Sequence, residues 1–334
     1  MVTSTQDEGR LTGAGSDCSA AGGAGFGLVR LASGLRGRRR RPRAVAWLAA
    51  LVPALAGHAL AQPAGSRAID RLQPGPPDSE WFALDSVVFE GHGDVSVSIT
   101  GDYGYRPLVI YNADESRRTD VVRHMAVLHV GASVSLYDHF RLSANVPVSP
   151  YQNGQTSTYD GMALPQPTYA FGDVTISGDV RLAGASNSAF RAAAGVRLVT
   201  PTGSRTYYMS DGVFAVDGHG LVAGTLKGFE YAADLRLLMR SENELANAQF
   251  GSEMRYAVAA GARLADGDLV VGPEIAGALG FMNADSVGHP VEVGVGAHCR
   301  FADAWRLGFG FTFGLVHEIG TPEQRAMLSI AWLP

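Results

Sequence analysis

The sequence predicts an all-β fold, a closed antiparallel up-and-down transmembrane β-barrel of about 12 strands. Three observations predict it. From residue 95 onward the hydropathy alternates with a period of two, in segments of about eleven residues. Soluble strands average roughly five or six residues, whereas a tilted strand needs about nine to eleven to cross a bilayer. The connections between segments are alternately short and long, as expected for tight periplasmic turns and longer outer loops. Finally, 21 Asp, Glu, Lys and Arg residues fall on one parity of the segments and none on the other. A charge-free apolar parity suits lipid, where a basic residue at mid-depth costs roughly 2–4 kcal/mol. The charged parity is otherwise Gly, Ala and Ser, which suits the inside of a closed barrel.

Composition removes the competing classes. Of the 334 residues 46% are hydrophobic and 18% charged, too apolar for a disordered chain. The 42 glycines follow no three-residue period, so collagen is out. Two cysteines are too few for a disulfide scaffold or a multi-cysteine zinc module.

Taken in order, the chain opens with a Gly/Ala/Ser-rich leader over residues 1–35, which reads as an over-long start. The basic run Arg38-Arg39-Arg40-Arg41-Pro42-Arg43 and the apolar stretch Ala44 to Ala61, ending in Ala59-Leu60-Ala61, form a secretory signal peptide. Cleavage is expected after Ala61. The loss of eight arginines and three acids leaves 19 basic and 29 acidic residues, a net charge of −10 that excludes nucleic acid as a partner. Residues 62–80, with Pro74-Gly75-Pro76-Pro77, read as a linker, and 81–334 as the barrel. Within that domain the apolar stretch Trp81 to Phe89 is an extra strand or a plug.

Twelve strands follow, at 95–105, 124–136, 140–148, 172–182, 190–200, 214–227, 229–240, 252–264, 269–280, 291–301, 305–315 and 324–333. An even number leaves both ends of the barrel in the periplasm. In the eleventh strand Trp305, Leu307, Phe309, Phe311 and Phe313 face lipid, and Cys299 of the tenth does the same. The charges expected to face the lumen are Glu230, Asp234, Arg236, Arg240, Glu253, Arg255, Arg263, Glu274, Glu292, Arg300 and Arg306. If the loop 241–251 closes symmetrically to within one residue, Arg236 lies opposite Arg255, with Asp234 and Glu253 as diagonal partners. That predicts a constricted, water-containing interior. An arginine at Phe309 should block assembly, and one at Gly308 should enter the lumen and be tolerated better.

The final strand, Arg325 to Trp332, closes on an aromatic residue and resembles the C-terminal insertion signal of outer-membrane proteins. The hairpins Leu136-Tyr137-Asp138-His139-Phe140-Arg141-Leu142 and Phe301-Ala302-Asp303-Ala304-Trp305-Arg306-Leu307 share one pattern. They resemble periplasmic turns of the barrel domains that precede OmpA-type peptidoglycan-binding domains in Gram-negative bacteria. The resemblance covers residues 81–334. It implies location in the cell outer membrane, contact with outer-membrane lipid, and recognition of the last strand by the barrel-assembly machinery. The aromatic stands two residues before Pro334 and no OmpA-type domain follows in this sequence, so the chain is either a barrel-only relative or one from which a C-terminal domain is missing; murein anchoring is not carried over, and any peptidoglycan or periplasmic partner is left open.

Chemistry is sought at the rim, where His124 with Asp120, His289 with Asp285 and Ser286, and His317 with Glu318 lie near long loops. None forms a recognisable catalytic spacing, and they read as solvated rim histidines. Asp211 and Asp217-Gly218-His219-Gly220 lack the ligand count of a calcium loop. His298 reads as a hydrogen-bonded interior histidine. The expectation is a structural barrel or narrow passive channel, not an enzyme, with no cofactor or metal. Its alternatives are an outer-membrane hydrolase with a rim active site and a soluble secreted ligand-binding barrel.

Overall fold

The computed structural model describes residues 67–89, 91–111, 118–159, 162–185, 188–245, 248–282 and 288–334. The leader, the basic run and the cleavage site fall outside the described residues. Twelve long antiparallel strands form the wall among the described residues. They are β1 (Asp94–Tyr111), β2 (Arg118–Leu136), β3 (Phe140–Asn153), β4 (Thr175–Ala183), β5 (Arg191–Val199) and β6 (Ala215–Leu226). The second half comprises β7 (Phe229–Arg240), β8 (Ser252–Leu264), β9 (Leu269–Met282), β10 (Val291–Phe301), β11 (Trp305–Val316) and β12 (Gln324–Trp332). Each strand pairs with its neighbour in sequence. The barrel closes where β1 meets β12, from Val97 opposite Trp332 to Tyr105 opposite Gln324. Closure leaves no open sheet edge, the condition for a β-structure in hydrocarbon. No helix among the described residues is long and apolar enough to cross a membrane.

The short turns explain the register. In four of them two successive residues take left-handed backbone: Tyr137–Asp138, Lys227–Gly228, Ala265–Asp266 and Ala302–Asp303. Paired positive φ values give the twist that joins adjacent antiparallel strands, and Asp and Gly accept them at least cost. At the opposite end β1 and β2 run further than the alternation predicts, to Tyr111 and from Arg118. Arg106 (φ 54°) and Pro107 interrupt the pairing between Tyr105 and Leu108, so the two-residue period is lost while the hairpin continues. Two further hairpins, Ser157–Tyr159 with Met162–Leu164 and Asn243–Leu245 with Ala248–Phe250, lie in the long connections.

The outward faces are apolar and exposed. Phe309 is 61% exposed, Leu328 62%, Val295 51% and Leu235 50%. An apolar surface wrapped around a closed barrel is the reverse of a soluble barrel and fits lipid. The chain is therefore an outer-membrane β-barrel, and the soluble ligand-binding reading falls. Residues 67–80, expected to be a linker, are instead buried or half-buried against the inner wall, and Trp81, Phe82, Leu84, Val87 and Phe89 are buried. Pro74, Pro76 and Pro77 prevent regular secondary structure without preventing burial, because side chains of the wall supply the missing hydrogen bonds.

Candidate functional site

The candidate site is the lumen, and the chain itself fills it. Residue 67 stands at the end of the long loops. The Ala68 N–H donates to Asp211 Oδ1 (3.0 Å) and the Ile69 N–H to the Tyr208 carbonyl (3.0 Å). Ile69 is fully buried among Leu108, Val121, Met125, Tyr208 and Phe250, an apolar cap over the long-loop mouth. Beneath it, Glu253 receives four guanidinium groups. Arg67 (2.8 Å) and Arg71 (2.7 Å) come from the N-terminal segment, and Arg240 and Arg255 (3.3 Å) from the wall. Arg67 also lies over the Phe250 ring, 3.8 Å from its centroid.

At mid-depth Asp85 lies between Arg197 (2.8 Å), Arg236 (3.5 Å) and His219 (3.6 Å). The Phe82 and Ala83 N–H groups both donate to Glu274 at 3.0 Å. Towards the short turns, Asp78 meets Arg141 (3.1 Å) and Glu80 meets Arg263 (2.6 Å). Arg306 donates to the carbonyls of Pro77 and Asp78. The segment leaves the lumen where the Gly91 N–H donates to Asp138 Oδ1 of the β2–β3 turn (2.7 Å). Residues 67–89 thus run from the long-loop end to the short-turn end, tied to the wall all along.

The expected lumen residues take their places as follows. Glu230, Asp234, Arg236, Glu253, Glu274 and Arg306 are buried, and Arg240, Arg255, Arg263 and Glu292 half-buried. Arg300 is exposed at the short-turn end, one of two charges of that parity to be so, with Lys227. Trp305, Leu307, Phe309 and Phe313 are exposed on the outer face, and Phe311 is half-buried, edge-on to Phe313. Cys299 is half-buried, at positions paired with Leu269 and Leu307 of the same face. Arg236 does pair with Arg255 across β7 and β8. Each guanidinium, however, takes the acid two residues back on its own strand: Arg236 takes Asp234 (2.8 Å) and Arg255 takes Glu253 (3.3 Å).

Three expectations need correction. The lumen is narrowed mainly by residues 67–89, not by Arg236 and Arg255 themselves. His298 makes no hydrogen bond through either ring nitrogen; it packs against Phe82, with ring centroids 4.6 Å apart. There is also no room inside Gly308: a Cβ there would stand 2.3 Å from Ser329 Oγ and 2.7 Å from His298. Arginine at that position would therefore clash, not enter free space.

Sequence reasoning missed the charges of the segment and much of their wall partnership in β1–β6 and β12: Arg141, Asp179, Arg197, Asp217, His219 and Arg325. Asp217 and His219 lie inside β6, where His219 Nε2 is 2.8 Å from Asp179 Oδ1. Of the rim histidines, His124 meets the Tyr103 hydroxyl (2.6 Å), while Asp120 pairs with Arg106 (3.2 Å). Asp285 and Ser286 lie outside the described residues. In the loop before β4, burial pushes the Asp173 carboxyl up to about 7, although it accepts hydrogen bonds from the Gly203 and Asp211 N–H groups. Small spaces remain beside the segment. One of about 100 Å³ is lined by Arg71, Phe82, Arg236, Arg255 and Glu292, and one of about 70 Å³ by Asp70, His129, Asn145 and Asp173.

No protein-family model matches the chain, and no curated protein matches it. Among solved structures it is similar to the COG4313 outer membrane channel from Pseudomonas putida F1. The identity is 14%, over 75% of this chain and 100% of that one, with a TM-score of 0.59. It also matches the NanC porin (7% identity, 71% and 100% covered, TM-score 0.49). A third match is the translocator domain of the autotransporter NalP from Neisseria meningitidis (9%, 73% and 89%, 0.39). At such identities the likeness to the channel speaks for fold alone, and it agrees with the wall geometry: the chain is a closed twelve-stranded barrel of outer-membrane type.

Proposed function

We propose that this protein is a narrow, passive, non-enzymatic channel of the outer membrane whose own residues 67–89 hold it closed. The observation that carries the reading is the way the segment is held. Its grip is a series of ion pairs and hydrogen bonds from mouth to base, with water-sized spaces beside it. A permanently sealed interior is served better by apolar packing, because removing paired charges from water gives little net stability. Charged partners that can re-pair with each other or with water suit a segment that shifts. The solved outer membrane channel of similar fold supports the same reading.

The test is conductance in planar bilayers. The full chain should give small, infrequent openings, and a chain lacking residues 67–89 a several-fold larger step. Retained gel mobility of the unheated barrel would verify folding of the deleted form. Equal conductance from both would overturn the proposal. The alternative of a rim hydrolase predicts ester or lipid hydrolysis by the refolded protein. The pairing of His124 with Tyr103 and of Asp120 with Arg106 speaks against that alternative. Recognition of β12 by the assembly machinery and kinship with OmpA-associated barrels rest on the turn and C-terminal sequences, and neither adds a murein-binding role.

A further inference from the structure

Arg325 of β12 stands in a different balance from the other lumen arginines. It contacts three carboxylates: Asp70 of the N-terminal segment (3.3 Å), Asp102 of β1, and Glu292 of β10 (3.0 Å). All three side chains are mostly out of solvent, with exposures of 8%, 2% and 17%. One guanidinium therefore faces three acids, a local deficit of two positive charges. Such an imbalance in a buried site is costly unless protons or a cation supply the difference.

The neighbouring side chain is a histidine, not a second arginine. His129 of β2 is 3% exposed, and its Nε2 has no hydrogen-bond partner, although Asp70 Oδ2 stands only 3.2 Å away. Asp70, Asp102 and His129 each place one ligand atom so that all three lie within 4.8 Å of one another. The other ring nitrogen, Nδ1, is 3.3 Å from the Asn145 side-chain amide. With the amide turned, Asn145 Oδ1 accepts Nδ1–H and leaves the Nε2 lone pair facing the carboxylates, as outer partners of metal-bound histidines do. The adjoining cavity of about 70 Å³ touches both Asp70 and His129 and holds room for a water.

We propose that Asp70, Asp102 and His129 bind one divalent transition cation of the zinc class, with water as the fourth ligand, and so clamp the N-terminal segment to β1 and β2. One imidazole nitrogen and two carboxylate oxygens are a donor set for zinc or cobalt and a poor one for calcium or magnesium, which take oxygen alone. The cation cancels the two missing charges, and Arg325 keeps its place between Asp70, Asp102 and Glu292. The clamping consequence rests on the closed-channel reading above; the site itself does not.

The experiment uses the refolded full chain, stripped with a chelator and titrated with Zn²⁺ or Co²⁺. The expected result is one equivalent bound, with Co²⁺ giving the visible absorption of a four-coordinate ion. His129→Ala should weaken binding at least tenfold. His129→Cys should retain Co²⁺ and add a thiolate charge-transfer band, a signature that a purely structural role would not produce. No stoichiometric binding by the wild type, which would leave protons to balance the charge, overturns the proposal. So does wild-type affinity in His129→Ala. Conductance is read in parallel: Zn²⁺ should lower the open fraction and chelator restore it. Metal binding that depends on His129 upholds the site even if conductance ignores it, and that combination would count against the closing role of residues 67–89 instead.

Discussion

Ile275 and Ala276 are neighbours in β9, yet they live in different solvents. Ile275 is 43% exposed on the lipid side, whereas Ala276 lines the interior cavity of about 100 Å³ beside Glu274 and Glu292. The same contrast runs around the barrel. On the outer face charge is excluded. On the inner face it is the material of the packing, and Glu253 or Asp85 is as buried as any core leucine of a soluble protein. The comparison teaches that the lumen behaves as a protein core built from paired charges, and that the N-terminal segment supplies what the wall lacks.

The largest expected effect comes from removing one such charge. Glu253→Gln leaves Arg67, Arg71, Arg240 and Arg255 around a neutral amide, with Asp211 still on Arg240. Breaking a buried pair from one side costs about 3–5 kcal/mol. Urea unfolding from lipid should register a loss of that size, with greater hydrogen exchange in residues 67–72. A loss under about 1 kcal/mol would mean that the segment and the wall are not coupled as the contacts indicate. Next is the pair Ile275→Arg and Ala276→Arg. The first presents a cation to lipid at a cost of roughly 2–4 kcal/mol and should prevent membrane assembly. The second places a cation within reach of Glu274 and Glu292 and should assemble. Equal assembly would erase the distinction between the two faces of β9.

The wall was legible because its signal is local and repeated: side chains alternate strictly, and lipid tolerates no exception at mid-depth. The register of Arg236 against Arg255 was legible for the same reason, since it sets the charged parity of β7 against the charged parity of β8. The partners of those arginines were not. Glu253 is shared with Arg67 and Arg71, residues of a segment whose Pro74-Gly75-Pro76-Pro77 composition suits a linker equally well. One signal could have found it. The polar parity of the twelve strands carries twelve basic and nine acidic residues, an excess of three positive charges. Residues 67–89 carry Arg67 and Arg71 against Asp70, Asp78, Glu80 and Asp85, an excess of two negative ones. A wall with surplus cations and a preceding stretch with surplus anions are complementary. His129 gave no such hint, because its neighbours Asp70 and Asp102 come from distant parts of the chain and share no spacing.

The smallest expected effect separates the outer loops from the wall. Asp173 sits just before β4 and receives the N–H groups of Gly203 and Asp211, anchoring the loop that also holds Ala68 and Ile69. Burial raises its carboxyl to about 7, well above the ordinary value near 3.8. The sign follows from linkage: the folded loop binds the proton more tightly than the unfolded one. Its stability is therefore full below the ordinary carboxylate value and declines as the pH rises from about 4 through about 7. Residues 200–214 should then exchange amide hydrogens more slowly at pH 5 than at pH 8, after correction for the intrinsic rate. Asp173→Asn keeps an oxygen for one of the two N–H donors and removes the titration, so its protection should be nearly the same at both pH values. Strands β7 and β8 should show no comparable difference, since the Glu253 cluster is held by guanidinium groups that keep their protons throughout that range. A pH response of equal size in β7 and β8 would show that the loops and the lumen loosen as one unit, and not as an anchored cap over an independently held segment.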